Sequence, residues 1–382
     1  MRPRVALVTY STKPRGGAVH TLHLADALYA AGQPLHVFAL GDPREGFFRP
    51  FAVPHTIVEA PPPAPSLDRR VFDAVDALAD GLQGDLAPFD LVHVQDCIAA
   101  QAAVRIRDLT GAFPVLRTVH HVDDFTTPAL VDCQERSITE PDRALVVSRF
   151  WRDLLAREYG IEATVVTNGV AAERFRQPGS VDPRLLRARV GAEDRLLLLT
   201  VGGIEPRKGS FELIEAFTEI RGGIDPTPVL AVVGGHSFQD HRAYRDQVLA
   251  RAAELDVQVG SDVVVVGTVP DGELASWYHA ADAFVFPSVK EGWGMVLLEA
   301  MSAGLPVVAT DIPVFREFLA DDENALLARA GDVASLGKAL RRICGDADLR
   351  SRLARAGPAV ARRYTWEACA AQHMAVYAEI AG

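Results

Sequence analysis

Two glutamates in the stretch KEGWGMVLLEAMSAG, residues 290 to 304, are the first candidates for chemistry. Glu291 lies just before a pair of glycines, and Glu299 follows eight positions later inside an apolar run. Glutamate is rarely buried without a partner. A carboxylate accepts two hydrogen bonds from hydroxyl groups at once, so the pair suits the vicinal diols of a sugar or a ribose. Without further context, a solvated loop charge and a partner for a core amide explain the two residues equally well.

A basic loop, VGGIEPRKG at residues 201 to 209, supplies charge of the opposite sign. Arg207 and Lys208 follow a strand-like run and precede a helical pattern, where the amides of a helix N-terminus attract anions. A guanidinium contacts two oxygens and an ammonium acts as a compact charge, so together they suit a diphosphate. A lone basic pair is more often a solvated turn, and the position after a strand is what favours binding.

Composition limits the class of protein. The chain has 382 residues, which predicts two domains, and its formal charge of −11 opposes nonspecific attraction to nucleic acid or anionic lipid. The cysteines are far apart and form no C-x-x-C pair, so reduced thiols are expected rather than a disulfide framework or a zinc site. The first residues show no signal-peptide pattern, which favours a cytoplasmic location. Peripheral contact with a membrane stays open.

The order of strand-like and helical segments predicts an α/β fold. Short β-branched runs alternate with helical patterns from the start of the chain, as in parallel sheets buried on both faces. The strand candidates are RVALVTYS, PLHVFALG, LVHVQD, VLRTVHHV, ALVVSR and TVVTNGV, and, after a connection at residues 171 to 194, LLLLTVG, PVLAVVGG, VVVVGTV, AFVFPS and PVVAT. Two series of this kind predict two doubly wound, Rossmann-like domains facing across a cleft, with functional loops directly after strands.

The loop YSTKPRGG, residues 10 to 17, occupies such a position after the first strand. Gly16 and Gly17 would let the backbone approach a ligand closely, although a tight turn explains them equally well. The loop is not G-x-G-x-x-G, so a nicotinamide dehydrogenase loses its main support. The corresponding loop before Glu299 ends at Gly294, and the exposed amides of Gly294, Met295 and Val296 can receive phosphate or hydroxyl oxygens.

These motifs together resemble the donor-binding signature of retaining glycosyltransferases of family 4, which have the GT-B fold. The resemblance covers nearly the whole chain. It is carried by Glu291 and Glu299 with GLPVVAT at 304 to 310, by VGGIEPRKG, by TNGV at 167 to 170, by GTVP at 267 to 270 and by the terminal YTWE helix. It implies a first domain of residues 1–172, completed by a crossover helix at 363–382, and a donor-binding domain at 173–362.

The resemblance implies roles for individual residues. Glu299 would bind the nucleotide ribose, Glu291 would approach the donor sugar hydroxyls, and Lys208 would neutralise the leaving diphosphate. Backbone around Val269 would hold the base. The implied activity is transfer of a hexose from a nucleoside-diphosphate sugar to an acceptor hydroxyl, with no cofactor and no essential metal.

The resemblance also extends to residues outside these motifs. His120 in TVHH matches the histidine that the family places near the donor sugar, although a histidine at a strand end is more often structural. Gly16 and Gly17 match the family's glycine loop beside the diphosphate and the acceptor. The family usually has arginine where this chain has Gly203, and Arg207 is a candidate substitute.

Rival functions remain at the sequence level. A nucleotide-sugar epimerase or a phosphorylase shares the two-domain fold, and a noncatalytic protein that binds nucleotide sugars is the rival from another class. The sequence identifies neither the donor nucleotide and sugar nor the acceptor, which can be a small molecule, a glycan or a lipid. The linkage formed and the oligomeric state are equally open.

Overall fold

The structure is a computed structural model that describes residues 2 to 235 and 239 to 381. The chain divides into two compact units. The first unit contains the residues up to Gly169 together with those from Trp366 onward, and the second unit contains Val170–Thr365. The chain therefore leaves the first unit once and returns to it at its C-terminal end.

The first unit is a doubly wound parallel sheet. Its strands are β1 (Val5–Thr9), β2 (Leu35–Gly41), β3 (His55–Glu59), β4 (Leu91–Val94), β5 (Val115–Val119), β6 (Arg143–Val146) and β7 (Ala163–Val165). Its helices are α1 (Gly16–Ala30), α2 (Leu67–Leu82), α3 (Cys97–Thr110), α4 (Pro128–Thr139) and α5 (Arg149–Tyr159), joined by the C-terminal helix α14 (Trp366–Ala381). Among the described residues the sheet has the order β3-β2-β1-β4-β5-β6-β7, so its strand order reverses between β1 and β4.

Local sequence explains these elements. Every residue of β1 is buried, as expected for a central parallel strand with helices on both faces. Helix α3 begins where the side chain of Asp96 accepts a hydrogen bond from the amide of Ala99, and Ser148 caps α5 in the same way through Trp151. Strand β3 was not predicted, because it lies at the sheet edge and its residues are only partly buried, which leaves no strong apolar pattern.

The second unit repeats the architecture. Its strands are β8 (Leu197–Val201), β9 (Val229–Val233), β10 (Val263–Gly267), β11 (Ala283–Phe286), β12 (Val307–Thr310) and β13 (Leu326–Ala328). Its helices are α6 (Ala172–Phe175), α7 (Pro183–Arg189), α8 (Ser210–Arg221), α9 (Arg242–Glu254), α10 (Asp271–Ala280), α11 (Met295–Ser302), α12 (Val333–Gly345) and α13 (Ala347–Ala361), with 3₁₀ turns at Pro206–Lys208 and Phe315–Glu317. Over the described part of the chain the strand order is β10-β9-β8-β11-β12-β13, which reverses between β8 and β11.

Two segments of the second unit differ from the prediction. Residues 171 to 194, expected to be a connection, include α6 and α7, whose short lengths and flanking prolines hid the helical period. Strand β13 has only three residues, too few for a periodic signal. The doubly wound arrangement itself is confirmed in both units.

The C-terminal helix α14 packs against α1 of the first unit. The indole of Trp366 stacks on the ring of His23, with 5.4 Å between ring centroids, and meets the ring of His20 edge-on at the same distance. Ring contacts of this kind anchor the last helix to the first one. No helix within residues 2–235 and 239–381 is both long and apolar enough to cross a bilayer.

Candidate functional site

The candidate site in the second unit lies where the strand order reverses. Strands β8 and β11 are neighbours and run in parallel, so the loops at their carboxyl ends leave the sheet side by side. The amide of Val289, in the loop after β11, donates to the carbonyl of Arg207, in the loop after β8, at 2.9 Å. Ligands of doubly wound sheets bind at such reversal points. The basic loop and the loop that contains Glu291 are therefore held against each other.

Arg207, Lys208 and Glu291 form an ion cluster between these loops. Lys208 Nζ lies 2.5 Å from Glu291 Oε1, and Arg207 Nη1 lies 3.0 Å from the same oxygen. Arg207 Nε also contacts Glu205 Oε2 at 3.2 Å. The structure thus brings three of the predicted catalytic residues into direct contact.

Lys208 is held in a mostly buried position. Its side chain is 15% exposed and its ammonium lies 4.6 Å from the ring centroid of Phe286. Burial lowers the pKa of Lys208, whereas the carboxylate of Glu291 raises it. Because a buried cation without a counter-charge is costly, the cluster keeps its charge only while an anion faces the ammonium. In this structure the anion is Glu291.

Gly203, where the related family usually has arginine, has no room for a side chain. A Cβ atom there would lie 2.7 Å from the carbonyl oxygen of Gly235 and 2.8 Å from Glu205 Oε1. Neither neighbour can retreat easily, because one is backbone and the other pairs with Arg207. The guanidinium in this loop therefore comes from Arg207.

Glu299 belongs to a second cluster, on the helix that follows the Glu291 loop. Tyr278 Oη donates to Glu299 Oε2 at 2.8 Å, and its oxygen lies 3.4 Å from the carbonyl of Val296. Burial raises the pKa of Glu299, and the hydrogen bond from Tyr278 opposes that shift. Nearby, Arg174 pairs with Asp271 at 2.8 Å. The carboxylate is thus oriented by a phenol, and the charge of Arg174 also lowers its pKa.

The start of α11 depends on a glycine. Gly294 has a φ of 98°, and a Cβ there would lie 2.8 Å from the ring of Phe315. Only glycine adopts this conformation without strain. The helix then begins at Met295, and both Met295 and Val296 stay partly exposed in its first turn. Val269, the predicted base contact, is half-buried on the loop between β10 and α10, on the same sheet edge.

The remaining predicted residues lie in the first unit. Gly16 and Gly17 open α1; neither has a positive φ, and no atom lies within 4 Å of a Cβ built at either position. A tight turn therefore does not require these glycines, and open space surrounds them. His120 follows β5, with its Nε2 3.1 Å from Gln95 Oε1. Burial lowers the pKa of His120 to about 3, so its ring is neutral near pH 7.

Sequence reasoning missed several residues around these sites. Glu205 lay within the quoted loop, and an acidic residue beside two cations was a usable signal. Tyr278 gave none, because a tyrosine within a helical segment is usually part of the core. The same holds for a chain of buried histidines that begins at His120. His20 contacts the rings of His120 and His373, and His93 contacts the ring of His373. Among the described residues no group of three or more His, Cys, Asp or Glu side chains is arranged to hold a metal ion.

Two doubly wound units, with the last helix completing the first unit, define the class of GT-B proteins. Residues 184–360 match the family model described as glycosyl transferases group 1, and residues 14–174 match the one described as glycosyltransferase family 4. The chain belongs to this glycosyltransferase family. It is therefore an enzyme that transfers a sugar.

Two similar proteins support the assignment to the glycosyltransferase family. The chain is 30% identical to a phosphatidyl-myo-inositol mannosyltransferase of Mycobacterium leprae, over 96% of this chain and 94% of that protein. It is 33% identical to a D-inositol 3-phosphate glycosyltransferase of Frankia alni, over 74% of this chain and 72% of that protein.

Solved structures share the fold. Sucrose-phosphate synthase from Thermosynechococcus elongatus superposes with a TM-score of 0.83 at 22% identity, covering 99% of both chains. The Anabaena protein HepE in complex with UDP-glucose superposes with a TM-score of 0.79 at 17% identity, again covering 99% of both. At these identities the likeness concerns the fold alone.

Proposed function

We propose that this glycosyltransferase moves a hexose from a nucleoside-diphosphate sugar to an acceptor hydroxyl and retains the anomeric configuration. The observation that carries the proposal is the contact of Arg207 and Lys208 with Glu291 where β8 and β11 separate. Two cations at a strand-order reversal suit a diphosphate. HepE, which shares the fold, is in complex with UDP-glucose, and the first relative named above is a mannosyltransferase, which supports a hexose donor.

The ion cluster would act by exchanging partners. In the free enzyme Glu291 pairs with both cations. A bound diphosphate would take its place beside Lys208 and Arg207, and the released carboxylate would face the sugar hydroxyls. As the bond between sugar and phosphate breaks, charge grows on the leaving group, and the fixed cations stabilise that transition state more than the ground state.

The second cluster would hold the nucleoside. Glu299, oriented by Tyr278, accepts hydrogen bonds from the two ribose hydroxyls, and backbone around Val269 contacts the base. The amides of Gly294, Met295 and Val296 receive phosphate oxygens at the start of α11. These roles use the carboxyl edge of one sheet throughout, which is where ligands of such sheets bind.

Retention would follow from a front-face route. In this route the leaving phosphate accepts the proton of the acceptor hydroxyl while the hydroxyl oxygen attacks the same face of the sugar. No covalent sugar–enzyme intermediate forms, and no metal is needed for the charge that Lys208 and Arg207 neutralise. Trapping a glycosylated side chain, or loss of activity on addition of a chelator, would contradict these two parts of the proposal.

The acceptor would meet the first unit, near His120 and the open backbone at Gly16 and Gly17. The neutral ring of His120 can contact a sugar hydroxyl without adding charge. Relatives are named for phosphatidyl-inositol and inositol phosphate, so inositol derivatives are the first acceptors to test.

A donor screen tests the proposal. Nucleoside-diphosphate sugars are added singly to the purified chain, and a true donor raises the unfolding temperature because it binds only the folded state. The donor is then incubated with and without inositol acceptors, and the product anomer is read by proton NMR. An inverted anomer, or a new sugar formed from the donor alone, would replace the proposal by an inverting transferase or an epimerase. Donor binding without transfer to any acceptor would indicate a noncatalytic binding protein.

A further inference from the structure

A network of buried hydrogen bonds ends at His120 in the first unit. Tyr377 Oη, on α14, lies 2.8 Å from His93 Nδ1 on β4, and His93 Nε2 lies 3.0 Å from the amide nitrogen of Gln95. The amide oxygen of Gln95 lies 3.1 Å from His120 Nε2. Tyr377 and His93 are fully buried, and Gln95 is 2% exposed. The network therefore connects the C-terminal helix with the ring of His120 through contacts that are shielded from water.

The amide of Gln95 determines which nitrogen of each histidine ring carries the hydrogen. An amide nitrogen only donates and an amide oxygen only accepts. His93 Nε2 therefore accepts from Gln95, so the hydrogen of this ring is on Nδ1, which donates to the oxygen of Tyr377. His120 Nε2 donates to Gln95. Because the ring of His120 is neutral near pH 7, its Nδ1 is unprotonated and can only accept a hydrogen bond.

Two other neighbours of these rings agree with this assignment. Thr118 Oγ1 lies 2.7 Å from His93 Nε2, and a hydroxyl group can donate to that nitrogen as well as accept from it. His20 meets the ring of His120 edge-on, with 4.6 Å between ring centroids, but neither nitrogen of His20 has a hydrogen-bond partner within residues 2–235 and 239–381. The hydrogen bond to Gln95 is therefore the contact that sets the tautomer of His120.

The hydroxyl group of Tyr377 acts on this tautomer from a distance. Without it, the Nδ1–H group of His93 would be buried with no acceptor, which is costly. Moving the hydrogen to Nε2 would let it donate to Thr118 Oγ1, but the amide nitrogen of Gln95 would then face another donor. The amide would turn over and donate to His120 Nε2, and the hydrogen of His120 would move to Nδ1. The two rings thus change tautomer together.

We propose that Tyr377, His93 and Gln95 are positioning residues that hold His120 in the tautomer whose unprotonated Nδ1 accepts a hydrogen bond from a hydroxyl group of the sugar or inositol substrate. The contact with substrate rests on the proposed function, whereas the tautomer does not. The ring of His120 is half-buried, so it can be reached by a ligand. A ring in this state selects a hydroxyl group, which donates, and rejects a group that only accepts.

Nitrogen NMR of the full chain tests the tautomer without sugar transfer. The histidines are labelled with the heavy nitrogen isotope, and spectra are recorded near pH 7, where protonated and unprotonated ring nitrogens resonate at well-separated shifts. The signals of His120 are those that are lost in His120→Gln. The expected result for the wild type is a protonated Nε2 and an unprotonated Nδ1. The opposite pattern at His120 overturns the proposal, and this measurement needs no variant of the network.

Tyr377→Phe tests action at a distance. Although Tyr377 does not touch His120, its change to phenylalanine should shift the signals of His120 towards the other tautomer. Tyr29→Phe, which changes an exposed tyrosine on α1 of the same unit, is the matched control and should leave the signals in place. Circular dichroism checks that each variant is folded. Signals of His120 that are the same in folded Tyr377→Phe as in the wild type contradict the role of Tyr377.

Two changes of His93 separate the network from packing. The amide end of glutamine reaches about as far as Nε2 of histidine and can accept from Gln95, whereas the shorter asparagine cannot. His93→Gln should therefore keep the tautomer of His120, and His93→Asn should lose it. Equal spectra of His120 in these two variants would contradict the network. The pair also carries the test if Tyr377→Phe does not fold.

The contact with substrate is tested by titration and by kinetics. Adding the donor found in the screen, or an inositol acceptor, should shift the Nδ1 signal of His120, and the compound that shifts it is the one that contacts the ring. Tyr377→Phe should raise the KM for that compound about fivefold, the effect of one lost hydrogen bond, with kcat nearly unchanged. If neither compound shifts the Nδ1 signal, the contact is overturned. Absence of sugar transfer with a shifted signal would count against the proposed reaction alone.

Discussion

The two units reverse their strand order at equivalent places but surround those places with different chemistry. In the second unit, Arg207 and Lys208 both contact Glu291 between the loops after β8 and β11. In the first unit, the end of β4 adjoins buried histidines, of which His120 contacts Gln95 and is neutral near pH 7. Topology therefore decides where loops converge, while individual side chains decide which ligand chemistry can follow.

Burial has opposite outcomes at the two places. Lys208 and Glu291 are both mostly buried and each supplies the counter-charge of the other. His120 and His373 lack a carboxylate in their contacts as described, and burial lowers their pKa values to about 3 and about 4. A buried group stays charged when an opposite charge offsets the free-energy cost of its desolvation, and it stays neutral otherwise. The comparison thus predicts different responses to mutation and to pH.

The largest effect is expected from Lys208→Ala in the second unit. If Lys208 stabilises the leaving diphosphate, its loss should reduce kcat by about 100-fold or more, as when a single transition-state contact is removed. Lys338→Ala, which removes an exposed lysine of the same unit, is the matched control. Steady-state kinetics with the donor found in the screen measure both. A folded Lys208→Ala enzyme with normal kcat would remove the charged cluster from the mechanism.

The first unit should respond to acid. His373 has a folded-state pKa of about 4, below the unfolded value of about 6.5, so the unfolded chain takes up the proton first. Stability is complete above about pH 6.5 and falls as the pH drops towards 4. The loss from this residue is about 3 kcal/mol at most.

Urea unfolding at a series of pH values measures this acid sensitivity. His373→Gln should flatten the profile between pH 6.5 and 4, whereas His241→Gln, a change in the second unit, should not. His20, which has both ring nitrogens buried without a hydrogen-bond partner among the described residues, adds to the effect in the same direction. An unchanged profile in His373→Gln would show that His373 does not contribute to the loss of stability in acid.

The sequence predicted the fold well because the central strands are strongly patterned. Strands such as β1 and β9 are buried throughout and almost entirely apolar. Strands β3 and β13 escaped detection, since one is an edge strand and the other has three residues. A continuous apolar pattern indicates a strand that is buried on both faces. The pattern weakens where the strand is only partly buried.

The sequence predicted only those candidate site residues that lie in or next to loops directly after strands. Arg207, Lys208 and Glu291 could be named because their loops follow strands and their residue types suit a diphosphate and a sugar. Tyr278 could not, because it contacts Glu299 from a different helix. Long-range contacts of single side chains depend on packing and have no local signature.

A third change tests partner exchange in the second unit. Glu291→Gln removes the carboxylate that pairs with Arg207 and Lys208 in the free enzyme. A nucleoside diphosphate then no longer competes with that carboxylate for the two cations. Affinity for the nucleoside diphosphate should rise about tenfold, or about 1.4 kcal/mol, while turnover falls. Calorimetry with the diphosphate of the identified donor measures the first effect, and Glu323→Gln, an exposed glutamate of the same unit, is the control. Weaker binding by Glu291→Gln would show that the carboxylate assists the diphosphate instead of competing with it.

The smallest effect concerns how Glu299 is oriented. Tyr278→Phe removes the hydrogen bond of 2.8 Å to Glu299 and leaves the packing of the ring in place. Loss of one such bond is worth about 1 kcal/mol, so the KM for the donor should rise about fivefold with little change in kcat. Because that bond opposes the raised pKa of Glu299, the pKa should rise further, and donor binding should be lost at a higher pH as the solution is acidified.

A double-mutant cycle separates this role from general packing. If Tyr278 acts through Glu299, the phenylalanine change should have no further effect on KM in a Glu299→Gln background. Tyr244→Phe, on α9 of the same unit, should leave the KM unchanged in either background. Additive effects of the two substitutions would instead mean that Tyr278 supports the helix α10 on which it lies, and that the ribose carboxylate is oriented by its own helix alone.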